Sequence, residues 1–256
     1  MKANNGPKVL VVDIETAPIL AYVWGLWDQN VGLNQIKSDW YVISWAAKWV
    51  GSDQVIQRDQ RSCRDMENDE RILKELYDLM NQADIVVTQN GVKFDHKKLN
   101  ARFIFHGFKP PNKYQKIDIY KIAKKMFAFS SNKLEYMSKH LTPKLSKDDH
   151  KDFPGFELWS ECLARNLKAW REMAKYNVKD VLATEALYKK FVAWDTQGVN
   201  FRLYSESCAC GSKDLVKNGS AYHKAKRYQK YQCKSCGAPI RSRHAMGTGP
   251  RTVPMA

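Results

Sequence analysis

The sequence predicts an α/β fold: a mixed sheet flanked by helices, followed by a small metal-binding unit. Three observations carry this. Apolar, β-branched segments alternate with segments of helical spacing through residue 194, carboxylates stand where strands end, and four cysteines gather after residue 207. With 256 residues, 44% of them apolar, the chain suffices for one full-sized domain with its own core and a small appendage. No run of 18 apolar residues predicts a membrane span, and Asp13 interrupts the opening "MKANNGPKVLVV" too early for a signal peptide.

The elements follow in order. "KVLVVDIE" (8–15) predicts a buried strand; "YVISWAAKWV" (41–50) and "DQVIQRDQ" (53–60), with a Gly-Ser-Asp turn between them, extend it into a meander. Ile72, Leu73, Leu76, Leu79 and Met80 then recur at helical spacing, and "DIVVTQN" (84–90) returns to strand. "FDHKKLNARFIFHG" (94–107) is a helix closed by Gly107. Past Pro110 and Pro111 come a short strand at 116–118 and the helix "IYKIAKKMFAF" (119–129). Ser130, Ser131 or Asn132 caps the helix that runs to 141, and residues 142–155, broken by Pro143, Pro154 and Gly155, read as a mobile loop. Residues 167–194 hold the strongest helical pattern. The predicted organisation is an α/β domain over 1–196, a linker over 197–206, a cysteine-rich unit over 207–243 and a disordered tail over 244–256.

Asp13 and Glu15 end the first strand, where Val or Ile is normally buried. Residues i and i+2 of a strand share a face, so the two carboxylates converge. Such a pair repels itself unless a cation lies between, and hard oxygen ligands suit Mg²⁺ or Mn²⁺. The spacing alone proves little: Asp65-Met66-Glu67 repeats it inside the polar run "RSCRDMENDE", where charge is a solvated helix start. Asp95 follows the strand ending at Asn90 and opens a helix. It is either a helix cap or a third carboxylate delivered to the C-terminal rim of the sheet, where open α/β sheets bind ligands. Tyr176 and Asp180, at i and i+4, share one face of the long helix; they are either a surface pair or part of the same site. Tyr114 and Asp118 have equal spacing but span a loop and a strand, which gives them no common face.

Taken in order, Asp-x-Glu (13–15), Asn-x-x-x-Phe-Asp (90–95) and Tyr-x-x-x-Asp (176–180) resemble the motifs of the DEDD 3′-to-5′ exonucleases. These are DnaQ-like proteins of RNase H-like fold, and the tyrosine marks the DEDDy branch. The resemblance covers residues 8–194, and "FAFSSNKLEYMSKHL" and "GFELW" are similar to phage and bacterial members. It implies an RNase H-like five-stranded mixed sheet whose first three strands are antiparallel. It also implies a cytoplasmic enzyme, in the host cell if phage-encoded, with two catalytic Mg²⁺ or Mn²⁺ ions. By the same resemblance Asp13 bridges the ions, Glu15 and Asp180 complete one site, and Asp95 holds the other. Tyr176 orients the attacking water, since a phenol of pKa near 10 is a poor base at neutral pH. Asn90 and Phe94 then contact the 3′-terminal nucleotides and Thr16 the terminal hydroxyl. Asp118 is a weaker candidate ligand, and His96 and His150 have no partner pattern. Trp24 and Trp27 either wall the cleft or, as the better expectation, pack in the interior.

The C-terminal end carries a second chemistry. Cys208, Cys210, Cys233 and Cys236 form two close pairs 22 residues apart, each followed by glycine, a set suited to one structural Zn²⁺. The segment resembles the zinc ribbons of insertion-sequence transposition proteins but departs at the first knuckle. Ser207 stands where such ribbons place cysteine, so either Cys208 or a substitute such as His223 is the first ligand. Residues 201–256 carry 11 Lys or Arg against 2 acidic residues, while the first 200 carry 31 against 25. That excess, with Lys217, Lys226, Arg227 and Tyr228 among interleaved cations and rings, predicts binding to nucleic acid, DNA first and RNA second. No basic amphipathic helix points to a membrane, and the sequence names no protein partner. The expected function is a metal-dependent 3′-to-5′ exonuclease. Its rivals are a structure-specific endonuclease on the same fold and a non-enzymatic regulator acting through the ribbon.

Overall fold

A computed structural model describes residues 6–145, 152–195, 198–199, 206–223 and 226–248. The chain opens with β1 (Val9–Thr16), β2 (Leu20–Ala21), β3 (Ile36–Ser38), β4 (Val42–Trp49) and β5 (Val55–Asp59). Then come α1 (Glu70–Gln82), β6 (Ile85–Thr88), α2 (Asp95–Phe105), β7 (Gln115–Asp118), α3 (Ile119–Met126) and α4 (Leu134–Leu141). It continues with α5 (Glu157–Leu163), α6 (Leu167–Phe191), β8 (Leu215–His223), β9 (Lys226–Cys233) and β10 (Pro239–Thr248).

The main sheet has the order β5-β4-β1-β6-β7. β1, β4 and β5 pair antiparallel, while β6 and β7 join in parallel, so the expected mixed sheet with its antiparallel start is present. Period-2 alternation assigns the layers. Leu10, Val12, Trp45, Ala47 and Val86 face α1 and α2, with Ile72, Leu76, Leu99 and Phe103 packed against them. Val9, Val11, Ala46, Ile85 and Val87 face the opposite layer, where α3, α4 and α6 contribute Ile119, Met137, Val181 and Leu187. Each large apolar side chain buried in these layers contributes roughly 1.5–3 kcal/mol relative to exposure.

Several expectations are corrected. Residues 17–40 form a separate two-stranded hairpin of β2 and β3, too short and too exposed to give a strand pattern. Trp24 and Trp27, expected in the interior, are 99% and 83% exposed, because they lie between β2 and β3, outside the five-stranded sheet and its two packed layers. Lys133 rather than Ser130, Ser131 or Asn132 precedes α4 as its cap residue; Ser131 Oγ accepts from its backbone N–H at 3.3 Å. "GFELW" leads into α5, a helix whose Leu158 and Cys162 pack on Trp170 and Met173 of α6. In the loop at 142–155, Pro143–Leu145 form a 3-10 turn, and residues 146–151, His150 among them, lie outside the described residues.

At the C-terminal end β10, β9 and β8 make a three-stranded antiparallel sheet. β10 runs to Thr248, five residues into the stretch expected as tail, because Ala245 and Thr248 still find partners at Tyr228 and Lys226 across two register shifts. Residues 249–256, and most of the expected linker at 197–206, lie outside the described residues. Among the described residues no helix is long and apolar enough to cross a membrane.

Candidate active site

The alternation that buries β1 also aims its charges. Val9, Val11, Asp13 and Glu15 share parity, so both carboxylates emerge on the face covered by α6. Opposite them on β4 stand Ala46 and Ser44, small residues that let the helix approach. α6 is launched by Asn166, whose side chain accepts from the Lys168 N–H at 2.9 Å, and its 25 residues carry Tyr176, Asn177 and Asp180 over the end of β1. Carboxylate oxygens of Asp13, Glu15 and Asp180 lie within 4.8 Å of one another.

Asp95 comes close without joining that triad. It is 3% exposed, and its Oδ1 accepts from the Ile14 N–H at 3.2 Å, so it clamps the first turn of α2 to β1 rather than capping its own helix, where Phe94 is the cap residue. Its charge is still felt at Asp13. Burial, then Glu15, Asp180 and Asp95, raise the Asp13 carboxyl well above the ordinary range. Burial likewise raises Asp95 to about 7. Oxygen-only donors this crowded fit a divalent cation such as Mg²⁺ or Mn²⁺.

Tyr176 packs edge-on against Trp159 of α5, with ring centroids 5.9 Å apart. Burial and then the charges of Asp180, Glu15 and Asp13 push its phenol far up, so it remains a donor at neutral pH. Sequence reasoning missed Asn177. Fully buried, it donates through Nδ2 to Asp13 Oδ2 at 2.6 Å and to the Asp13 carbonyl at 3.2 Å, while its Oδ1 accepts from Ser44 Oγ at 3.0 Å. The available signal was an asparagine in the core-facing stripe of α6 between Met173 and Val181.

The second motif makes the rim around the carboxylates. Asn90 turns the chain at φ 60° and is exposed. A Cβ at the next residue, Gly91, would lie 2.4 Å from Thr88 Cβ, so only glycine passes there. Asp118, the weaker ligand candidate, is committed elsewhere. Its carboxylate accepts from the N–H groups of Asn90 (2.8 Å), Val92 (3.2 Å) and Tyr120 (3.1 Å), tying this turn to the start of α3. His96 is buried and held near Tyr114 Oη at 3.2 Å; burial, then Lys116, lowers it to about 4, so it stays neutral. Asp65 and Glu67 are exposed, as their polar setting required.

Thr16, at the end of β1, lines a cavity of about 540 Å³ with Pro18, Ile19, Trp40, Phe156 and Trp159. Lys98, also on its wall, holds its ammonium 3.6 Å from the Trp40 ring and 5.6 Å from that of Phe94, which is 39% exposed.

A model of the RNase_H superfamily matches residues 11–192, the span from β1 to the end of α6 just described. The chain belongs to the RNase_H superfamily. This RNase_H superfamily chain is also similar to the structure of the family B DNA polymerase from the hyperthermophilic archaeon Pyrobaculum calidifontis. The TM-score is 0.53 at 14% identity, over 86% of this chain and 31% of that one, a likeness of fold. The chain thus spans about a third of the polymerase's length. No curated protein matches the sequence.

The four cysteines gather beyond the matched span, C-terminal to α6. The Sγ atoms of Cys208, Cys210, Cys233 and Cys236 lie within 4.8 Å of one another, and His223 stands outside the group. Four thiols around one point suit tetrahedral Zn²⁺. Ala193, just past α6, packs against this cluster. The basic residues do not form one patch. Lys226 and Tyr228 alternate onto one face of β9, with the Arg241 guanidinium 4.6 Å over the Tyr228 ring, whereas Arg227 and, opposite Tyr231, Lys217 lie on the other.

Proposed function

We propose that this protein is a metal-dependent 3′-to-5′ exonuclease that hydrolyses phosphodiester bonds of DNA, and of RNA in second place, with a zinc ribbon that assists nucleic-acid binding. The observation that carries the reading is the convergence of Asp13, Glu15 and Asp180 from a strand and a distant helix, beside Tyr176 and an aromatic cleft. Asp13, Glu15 and Asp180 would hold one Mg²⁺ or Mn²⁺, and Asp13 with Asp95 would hold the other. When bound, the two ions neutralise charge on the attacking and leaving oxygens of an in-line displacement. Tyr176, kept protonated, orients the attacking water by donating its hydrogen bond. Thr16 meets the terminal 3′-hydroxyl, and Asn90 with Phe94 contacts the last nucleotides, Phe94 by stacking. Lys98 places a cation on the cleft wall for a phosphate.

The ribbon is held by Cys208, Cys210, Cys233 and Cys236, and Lys217, Lys226, Arg227 and Tyr228 engage the substrate from its two faces. The similarity of fold to a polymerase chain and membership of the RNase_H superfamily support a nucleic-acid substrate. The test is incubation of the full chain with 5′-labelled single-stranded DNA, duplex DNA and RNA in Mg²⁺ or Mn²⁺, with Asp13→Ala as control. A ladder of shortened products that a 3′-terminal block abolishes is expected. Cleavage of a circular single strand would instead establish an endonuclease, and full activity of Asp13→Ala would overturn the site.

A further inference from the structure

Between Ile19 and Leu33 the segment of β2 and β3 exposes nine large apolar side chains, a density that marks a binding surface. Trp24 is 99% exposed, Leu26 88%, Leu33 87%, Trp27 83% and Tyr22 67%. The arm is nonetheless held in shape. Tyr22 N–H donates to the Gln35 carbonyl at 2.9 Å, Gln35 Nε2 donates back to the Tyr22 carbonyl at 2.8 Å, and the Gly32 N–H donates to Gln35 Oε1 at 2.8 Å.

Both feet of this arm are walls of the cleft beside the carboxylates. Pro18 and Ile19 form one foot and Trp40, two residues past β3, the other; all three line the cavity that Thr16 and Trp159 share. A polymer whose end lies in that cleft must leave past the arm. The arm bears little charge, with Asp28, Lys37 and Asp39 between Ala17 and Trp40, so its main chemistry is apolar rather than phosphate-binding. It offers flat indole faces, which suit unpaired bases.

We propose that residues 19–38 form a stacking arm for single-stranded nucleic acid, with Trp24 and Trp27 gripping bases upstream of the end that occupies the cleft. This rests on the exonuclease reading for the polarity of the strand, though not for the stacking itself. Duplex cannot present base faces to the arm, so the substrate class is a single strand or a frayed end.

The test replaces both rings while keeping the arm apolar, as Trp24→Leu/Trp27→Leu in the full chain. With a 20-nucleotide oligothymidylate the Michaelis constant is expected to rise about tenfold or more, with kcat within a factor of about two, because stacking contributes roughly 1–3 kcal/mol per base. Hydrolysis of thymidine 5′-(p-nitrophenyl phosphate), too small to reach the arm, should change less than about twofold. Binding is read separately in the Asp13→Ala background by quenching of tryptophan fluorescence with the same oligothymidylate, which the double substitution should remove. This reading stands even if neither substrate is hydrolysed, an outcome that would fell the exonuclease assignment and leave the arm intact. Unchanged quenching and affinity would overturn the arm. So would sedimentation showing self-association, or flotation with phosphatidylcholine vesicles, that the double substitution abolishes without affecting oligothymidylate.

Discussion

Asn177 holds Asp13 at two points, donating one amide hydrogen to the carboxylate at 2.6 Å and another to the backbone carbonyl at 3.2 Å. Its own oxygen is fixed by Ser44, and Gln57 Nε2 in turn donates to Ser44 Oγ at 3.2 Å and to Asp59 at 3.0 Å. A chain of buried and half-buried polar groups therefore runs from the candidate metal ligand across β4 to β5. Asn177→Ala should leave Asp13 free to rotate and Ser44 without its acceptor, costing about 1–3 kcal/mol of stability. Mn²⁺ affinity by calorimetry should fall about tenfold, with the oligonucleotide Michaelis constant little changed. An unchanged Mn²⁺ affinity would show that Asn177 only packs.

Metal uptake should expel protons. Asp13 is raised by burial and its acidic neighbours, and Asp95 to about 7 by burial, so the metal-free folded protein holds protons that an unfolded chain would release above about pH 4. Its stability from these groups therefore falls as pH rises towards 7, and a bound cation reverses the trend by favouring the carboxylates. Calorimetry of Mn²⁺ binding in two buffers of different ionisation enthalpy should show net proton release at pH 6.5, with affinity climbing from pH 5.5 to 7.5. Proton-free binding at pH 6.5 would contradict the burial argument.

The long helix is pinned to the sheet by a buried pair. Lys48 Nζ lies 2.6 Å from Glu185, and Lys189 approaches the same carboxylate at 2.7 Å. Removing Glu185 alone strands the Lys48 charge in the interior, so Glu185→Ala should lose about 3–5 kcal/mol in urea unfolding. Replacing both partners, as Lys48→Met/Glu185→Leu, should recover most of that loss, because an apolar pair needs no solvation. Equal instability of the two variants would mean that the pair itself, and not the orphaned charge, sets the cost.

The four-cysteine cluster should depend on a bound metal for its fold. Although burial pushes the Cys233 thiol up, hydrogen bonds from the Cys236 and Ser235 backbone bring it down to about 7, ready to ligate as thiolate. Cys233→Ser should abolish the expected stoichiometry of about one zinc per chain, measured by elemental analysis. Limited proteolysis should then cut within β8 to β10 and spare the segment up to α6. Retention of zinc in that variant would remove Cys233 from the ligand set.

Local pattern made much of this legible. β-branched runs marked the buried strands, and i, i+3, i+4 spacing marked α1 and α6, because burial of one face imposes those periods wherever the fold places the element. The same logic aimed Asp13 and Glu15 to a shared face and separated them from Asp65 and Glu67, whose polar surroundings are solvated. Motif order extended the set to Asp95, Tyr176 and Asp180 by resemblance.

Where the sequence failed, the cause was a partner distant along the chain. Asp95 serves β1 because α2 starts beside Ile14, 81 residues earlier. Asn177 matters because α6 crosses β1 and β4 at small residues, and nothing near 177 in sequence announces that crossing. Trp24 and Trp27 are exposed because they sit between β2 and β3, a two-stranded sheet separate from the main one, a fact of topology that their apolar character hides. The cations of the ribbon, contiguous in sequence, divide between two faces once β9 is extended. By itself the sequence determined the longer buried strands and helices of the first domain and the chemistry they carry, since both follow from side chains near in the chain. The tertiary structure alone decided which of those side chains meet, because contact depends on the packing of strands and helices that the chain brings together from more than a hundred residues apart.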